Sequence, residues 1–326
     1  MTWLVTGGAG FIGAHVTHAM LAAGERVVVL DDLSTGIASR IEGVPFVEGS
    51  VHDTEFVAGV LREHGITGVV HLAAKKQPGE SVDKPILYYR ENVGGLASLL
   101  DAVAAAGVET FVFSSSASVY GNPSQEIVTE DLHCEPESPY GETKLAGEWL
   151  IADTARVTGL RYVNLRYFNV AGTARPELSD TGAYNVIPMV FERLTDGKPP
   201  LIFGADYPTP DGTCIRDYVH VSDIASAHVA AAQHLASGAD ARLTLNVGTG
   251  RGVSVREMVD TILAVTGYSE LPATVVDRRP GDPVVSIASA DRIAAEFGWS
   301  AGHDLRDMVE SAWAGWVLRH PEARRG

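Results

Sequence analysis

Three observations predict an α/β protein, a doubly wound parallel sheet of the Rossmann type with a smaller C-terminal α/β lobe. The first is a G-x-x-G-x-x-G run from Gly7 to Gly13, between a strand-like start and a helix-like segment. The second is the alternation of short β-branched runs with helix-length amphipathic segments through the first half of the 326-residue chain. The third is the loss of that regularity after Phe168. Near-continuous apolar strands separated by helices imply a sheet covered on both faces. Such a sheet holds its ligands at the carboxyl ends of its strands.

Residues 3–6, 26–31, 45–48, 68–73, 110–115 and 160–168 read as strands, and 11–23, 54–64, 84–106 and 139–158 as helices. Ser138-Pro139 marks the start of the last helix, with serine at the N-cap and proline at the first helical position. Residues 173–184 are polar and irregular, and Lys198-Pro199-Pro200 and 208–212 punctuate the rest of the second half. A strand at 201–203, another around Val275, and helices at 186–195 and 254–265 predict the second lobe. A helix at 222–236 and a strand at 243–247 can return to the first sheet. The expected division is 1–168, with 217–248 returning to it, and 169–326 as mainly the second lobe.

Composition narrows the partners. With 25 Lys and Arg against 41 Asp and Glu, the formal charge of −16 disfavours nucleic acid and anionic membrane. An anionic ligand therefore needs a local group of cations or a helix N-terminus. Two cysteines, Cys134 and Cys214, cannot frame a disulfide scaffold, so a reducing, cytoplasmic setting is expected. No basic stretch precedes the apolar run at residues 3–5, which argues against a signal peptide. No apolar run approaches the ~20 residues of a membrane span.

The glycine loop suits a dinucleotide. Gly7 permits the tight turn, Gly10 lets the backbone approach a pyrophosphate, and Gly13 lets the helix pack closely on the strand. Alone the run is a weak signal, and an ordinary glycine-rich turn is the alternative. The second strand ends in Asp31, whose carboxylate can accept from adenosine ribose hydroxyls and repel a 2′-phosphate. NAD is thus favoured over NADP; otherwise Asp31 is a strand-end turn residue.

Tyr140 and Lys144 lie one helical turn apart on one face. A free phenol has a pKa of about 10 and is a poor base at neutral pH. A nearby ammonium and a positive nicotinamide would stabilise its phenolate, which requires about 4 kcal/mol. Ser116, just past the strand 110–115, can donate to the same substrate oxygen. A Tyr-x-x-x-Lys pair alone fits any helix surface. With the glycine loop and the strand-end serines it points to redox chemistry on an alcohol or ketone.

These residues resemble the extended short-chain dehydrogenase/reductases, the NAD-dependent epimerase/dehydratase family. Within them, Ser114-Ser115-Ser116-Ala117-Ser118-Val119-Tyr120-Gly121, Ser138-Pro139-Tyr140-Gly141, Arg166-Tyr167-Phe168-Asn169 and Arg216-Asp217-Tyr218-Val219-His220-Val221 are similar to the UDP-glucose (UDP-galactose) 4-epimerases. The likeness spans nearly the whole chain. It implies Tyr140 as acid/base, Lys144 as its modulator and Ser116 as hydrogen-bonding partner. For the NAD site it implies Gly7, Gly10, Phe11, Ile12, Gly13, Asp31 and Asp32, then Ser50, Val51, Leu72, Ala73 and Ala74. Lys76, Asn92, Ser114 and Tyr167 complete that set, with Tyr140 and Lys144. For a UDP-hexose it implies Lys76, Ser116, Tyr140, Asn169, Asn185 and Val186, with Leu201, Phe203, Arg216, Arg279, Asp282 and Ser286. Arg216 and Arg279 would be the local cations facing the diphosphate. The implied activity is reversible C4 epimerisation through a 4-keto sugar, with NAD as a catalytic cofactor that is not consumed.

Two positions depart from the common pattern. Ser50 stands where an adenine-contacting Asp is usual. Ser286 stands where members restricted to UDP-glucose and UDP-galactose often carry Tyr; a small residue there predicts room for N-acetylated sugars. Alternatively Ser286 merely ends a surface segment. Two other functions compete with epimerisation. A 4,6-dehydratase needs an Asp-Glu pair where this chain has Ala117 and Ser118, neither fit for acid/base work at neutral pH. A non-catalytic NAD-binding regulator would be expected to have lost part of the Ser-Tyr-Lys group, which is intact. The resemblance also implies a homodimer through the helices at 84–106 and 139–158.

Overall fold

A computed structural model describes residues 1–182, 185–279 and 283–324. Strand β1 (Thr2–Thr6) leads into the glycine loop and helix α1 (Phe11–Ala22), then β2 (Arg26–Asp31), β3 (Phe46–Glu48), α2 (Thr54–Glu63) and β4 (Gly68–His71). Two short helices, α3 (Pro78–Asp83) and α4 (Pro85–Tyr88), precede a π-helical turn at Tyr89–Gly94 and α5 (Gly95–Ala106). Next come β5 (Thr110–Ser116), the two-residue β6 (Ile127–Val128), α6 (Pro139–Thr158) and β7 (Arg161–Tyr167). The second half comprises β8 (Asn169–Ala171), α7 (Val186–Thr195), β9 (Leu201–Phe203), β10 (Ile215–His220), α8 (Val221–Ala236) and β11 (Arg242–Val247). It closes with β12 (Gly252–Ser254), α9 (Val255–Thr266), β13 (Thr274–Val276), β14 (Val285–Ala288), α10 (Asp291–Phe297) and α11 (Leu305–Arg319).

The main sheet has seven parallel strands in the order β11-β7-β5-β4-β1-β2-β3. Alternation along β1 sends Trp3 and Val5 to one face, where α1 and α8 supply Val16, Met20, Ile224 and Ala231. Leu4 points to the other, against Val57 and Leu61 of α2, Leu99 of α5 and Ile151 of α6. Both faces are dry, which explains why these strands read as unbroken apolar runs. Strand β11 pairs with β7, so the chain comes back to the first sheet after building part of the second lobe.

The second lobe centres on β10, which pairs with β12, β14 and β8. Its core gathers Phe191 and Leu194 of α7, Met258 and Ile262 of α9, and Val309 and Trp316 of α11. A two-stranded parallel pair, β9 with β13, forms its rim.

Several boundaries differ from the sequence expectation. The expected strand 160–168 ends at Tyr167, and residues 169–171 join β10 in the other sheet. The expected strand 68–73 stops at His71, and 110–115 runs on through Ser116. The expected helix 84–106 is continuous from Pro85 to Ala106, with a π turn at Tyr89–Gly94 that leaves no periodic signature in the sequence. Helix α6 runs as its caps dictate: Ser138 Oγ accepts from Gly141 N (3.3 Å), and Gly159 closes it at φ 78°.

Candidate active site

The glycine loop is held by contacts that exclude any side chain. A Cβ on Gly13 would lie 2.0 Å from the Gly7 carbonyl oxygen, and one on Gly7 (φ +71°) 2.6 Å from the Ala73 nitrogen. At Gly10 a Cβ would meet only the Gly7 carbonyl, at 3.1 Å, so the space in front of it is open. Gly10 caps α1 without any side-chain hydrogen bond, leaving the amides at the start of that helix, beginning with Phe11 and Ile12, to face this space. A backbone cradle at a helix N-terminus fits a dinucleotide pyrophosphate.

Around the loop, Asp31 is buried and its carboxylate accepts from Ala9 N (3.0 Å) and Leu33 N (2.9 Å). It therefore braces both loop and following turn, and burial pushes its pKa up against those two bonds. Asp32 accepts from Ser34 N (2.9 Å), and Ser50 Oγ from His52 N (3.3 Å). Val51 packs against Gly95 of α5. Leu72 and Ala73 continue β4 toward Ala74, with Leu72 N bonded to Thr6 O and Ala73 backing Gly7. The amide of Asn92, on the π turn, clasps both backbone groups of Lys75 (2.8 and 3.0 Å) and Thr143 Oγ1 (3.0 Å). It ties the loop after β4 to α6. Lys76 is exposed, 5.9 Å from the Phe11 ring centroid and 3.9 Å from Asp180 Oδ2.

Ser116, Tyr140 and Lys144 meet at the carboxyl end of β5, all less than 8% exposed. Ser116 closes the strand and caps a 3-10 turn, accepting from Ser118 N (3.1 Å). The Lys144 ammonium donates to the Ser114 carbonyl (2.8 Å) and lies 5.9 Å from the Tyr140 ring centroid. Burial brings Lys144 down to about 8. The phenol of Tyr140 is raised rather than lowered, since burial outweighs the hydrogen bond from Ser116. Two buried groups each resist ionisation by themselves; a phenolate facing an ammonium relieves both penalties together.

The Ser114 hydroxyl points through the sheet to His228 Nε2 (2.7 Å). His228 Nδ1 lies 2.9 Å from the Ile224 carbonyl, which can only accept, so Nδ1 carries the proton and Ser114 donates. Tyr167, the register partner of Ser116, is likewise pushed up by burial.

Two residues beyond Tyr167, Asn169 opens a cleft of about 420 Å³. It is lined by Phe11, Asn169, Asn185, Val186, Leu201, Phe203, Arg216 and Arg279. The Arg279 guanidinium stacks 3.8 Å over the Phe203 ring. Ser286, Ser116, Tyr140 and Lys76 are not among the lining residues. Asp282 lies outside the described residues. Ser286 does not end a surface segment; it is strand β14, paired with Arg216.

Residues 3–248 match the NAD-dependent epimerase/dehydratase family. The chain belongs to that family. It is 46% identical over 318 residues to the UDP-glucose 4-epimerase of Azospirillum brasilense, covering 96% of this chain and 91% of that protein. Its structure superposes with a TM-score of 0.93 on a UDP-glucose 4-epimerase from Stenotrophomonas maltophila with bound NAD and formylated UDP-arabinopyranose, at 39% identity, covering 98% and 99% of the two chains. It is also similar to the UDP-Glc/GlcNAc 4-epimerase of Campylobacter jejuni, with a TM-score of 0.85, 34% identity and 97% and 99% coverage.

This member of the epimerase/dehydratase family carries site features that local patterns did not disclose. Tyr218, Ser179 and Arg319 line the cleft although they come from β10, a loop and α11. Asp217 is fully buried and accepts from Thr249 N, Thr249 Oγ1, Gly250 N and Ala288 N, fastening β14 to β10. The only advance signal for it was its place in the Arg216–Val221 run.

Proposed function

We propose that this chain interconverts UDP-glucose and UDP-galactose by reversible C4 epimerisation. The observation that carries the proposal is the buried Ser116–Tyr140–Lys144 group at the end of β5, whose neighbouring strand, through Tyr167 beside Ser116, leads two residues on to Asn169 of a cleft that presents Arg216 and Arg279. Tyr140 takes the proton of the sugar 4-hydroxyl and later returns it, while Ser116 holds the same oxygen. Lys144 supplies the positive charge that lets the phenolate form. Bound at the glycine loop, NAD would supply reversible hydride acceptance at the sugar C4. Arg216 and Arg279 hold the diphosphate, with Asn169, Asn185, Val186, Leu201 and Phe203 around the rest of the UDP-sugar. Binding strength comes from the part of the substrate that does not react, and the hexose is left free to turn over. Residues 1–168 with 217–248 then serve NAD, and 169–326 mainly the UDP-sugar. Ala117 and Ser118 offer no carboxylate for dehydration.

The test is purified protein incubated with UDP-galactose and followed for UDP-glucose. Turnover to equilibrium without net NAD consumption is expected; no product with NAD present would overturn the proposal. A second reading extends the substrates to UDP-GlcNAc and UDP-GalNAc, favoured by the small Ser286 beside Arg216. A homodimer through the helices at 84–106 and 139–158 is supported by the exposure of Ile86 (79%), Trp149 (62%) and Val157 (88%) on them. Light scattering should give twice the chain mass, falling to one on Trp149→Glu. Among the described residues no helix is long and apolar enough to cross a membrane. A cytoplasmic setting is supported by the free thiols of Cys134 and Cys214.

A further inference from the structure

We propose that Glu148 is a positioning residue for this reaction, its carboxylate holding Lys144 as an ammonium at the end of β5. The inference rests on the proposed epimerase chemistry. Glu148 follows Lys144 by one helical turn on α6, and both are buried, 5% and 4% exposed. Its carboxylate is pinned from two neighbouring strands. Arg166 of β7 donates to it through Nε (2.9 Å) and Nη2 (2.5 Å), and Ser115 of β5 through its hydroxyl (2.5 Å). The same guanidinium reaches Tyr120 OH (2.9 Å), which donates to Asn246 Oδ1 (2.7 Å).

A buried ion pair is weak evidence for stability, because apolar residues of similar volume often serve as well. Its position suggests a different role. Lys144 and Glu148 grip adjacent residues of one strand, Ser114 through its carbonyl and Ser115 through its hydroxyl. Other groups around the pair are His71 on β4, Tyr140 on α6, Tyr162 on β7 and Cys134 before α6. His71 is lowered to about 3 and is neutral, and burial pushes up all three of Tyr140, Tyr162 and Cys134. Glu148 is thus the anion that opposes the burial of Lys144.

The test compares kcat/KM against pH for holoenzymes of the wild type, Glu148→Gln, the double variant Glu148→Gln/Arg166→Gln, and Glu148→Asp. The double variant removes the guanidinium that Glu148→Gln would leave unpaired. Without the carboxylate the alkaline limb should move down by at least ~1 pH unit, about tenfold in kcat/KM at pH ~8.5, with activity at pH ~6.5 within about threefold. Glu148→Asp should restore the limb. A limb that stays in place in a folded Gln variant, or an equal loss at every pH, overturns the proposal. Failure of both Gln variants to fold while Glu148→Asp behaves as wild type also overturns it, marking the carboxylate as structural. Absence of epimerisation by the wild type would instead remove the functional reading itself.

Discussion

Arg216 and Ser286 are register partners on the parallel strands β10 and β14. Paired residues on neighbouring strands present their side chains to the same face. The cation proposed for the diphosphate therefore stands beside the hydroxyl proposed for the sugar, and Asp217 locks the two strands together through Ala288 N.

That pairing makes substrate range testable. Ser286→Tyr should fill the space an N-acetyl group needs, at an overpacking cost of about 1–3 kcal/mol. UDP-GalNAc should lose ~10–100-fold in kcat/KM and UDP-galactose much less. Equal losses for both substrates would remove Ser286 as the discriminator.

Tyr140→Phe keeps the ring and deletes the proton carrier. Loss of one general acid/base should lower kcat by ~10²–10⁴ while NAD retention and UDP-sugar affinity change little. Near-normal turnover would sink the assignment of Tyr140.

Gly13→Ala should abolish NAD retention, because its Cβ would lie 2.0 Å from the Gly7 carbonyl. Gly59 on α2 meets nothing within 4 Å, so Gly59→Ala should raise stability by up to about 1 kcal/mol. Absorbance of released nucleotide and urea midpoints report the two outcomes.

Arg216→Met and Arg279→Met should each raise KM for the UDP-sugar ~10–100-fold, the magnitude of a lost charge-assisted bond. A fall in kcat with unchanged KM would contradict their role on the non-reacting diphosphate.

Stability should fall on mild acidification. Burial lowers His15, His220 and His228 to about 4 and His71 to about 3, all from 6.5. These rings are neutral in the folded chain, so below pH 6.5 the unfolded chain binds more protons and unfolding gains. The loss begins at 6.5 and continues to about 4, at about 1.4 kcal/mol per group per pH unit. Urea midpoints should be flat from pH 8 to 7 and drop steeply by pH 5; a flat profile to pH 5 would contradict this.

The sheet was legible because its central strands are buried on both faces, so β1, β2 and β4 carry near-continuous apolar runs. The glycine loop and α6 were legible because their geometry is local: Gly13 is forced by one carbonyl, and Ser138-Pro139 starts a helix on its own. The contacts of Asn92 were not legible. Its π turn depends on one inserted residue, and its amide partners, Lys75 and Thr143, come from separate segments.

By itself the sequence determined the α/β class, the dinucleotide loop, and the presence of a serine, a tyrosine and a lysine able to move a proton. Only the tertiary structure decided how those groups are charged. Burial lowers Lys144 and raises Tyr140, and Glu148, fixed by Arg166 and Ser115, opposes the shift at Lys144. It also decided that Ser286 lies beside Arg216 across 70 positions of chain. Chain-local signals encode what a residue can do within a turn or two. Charge state and pairing depend on which distant segments exclude water around it.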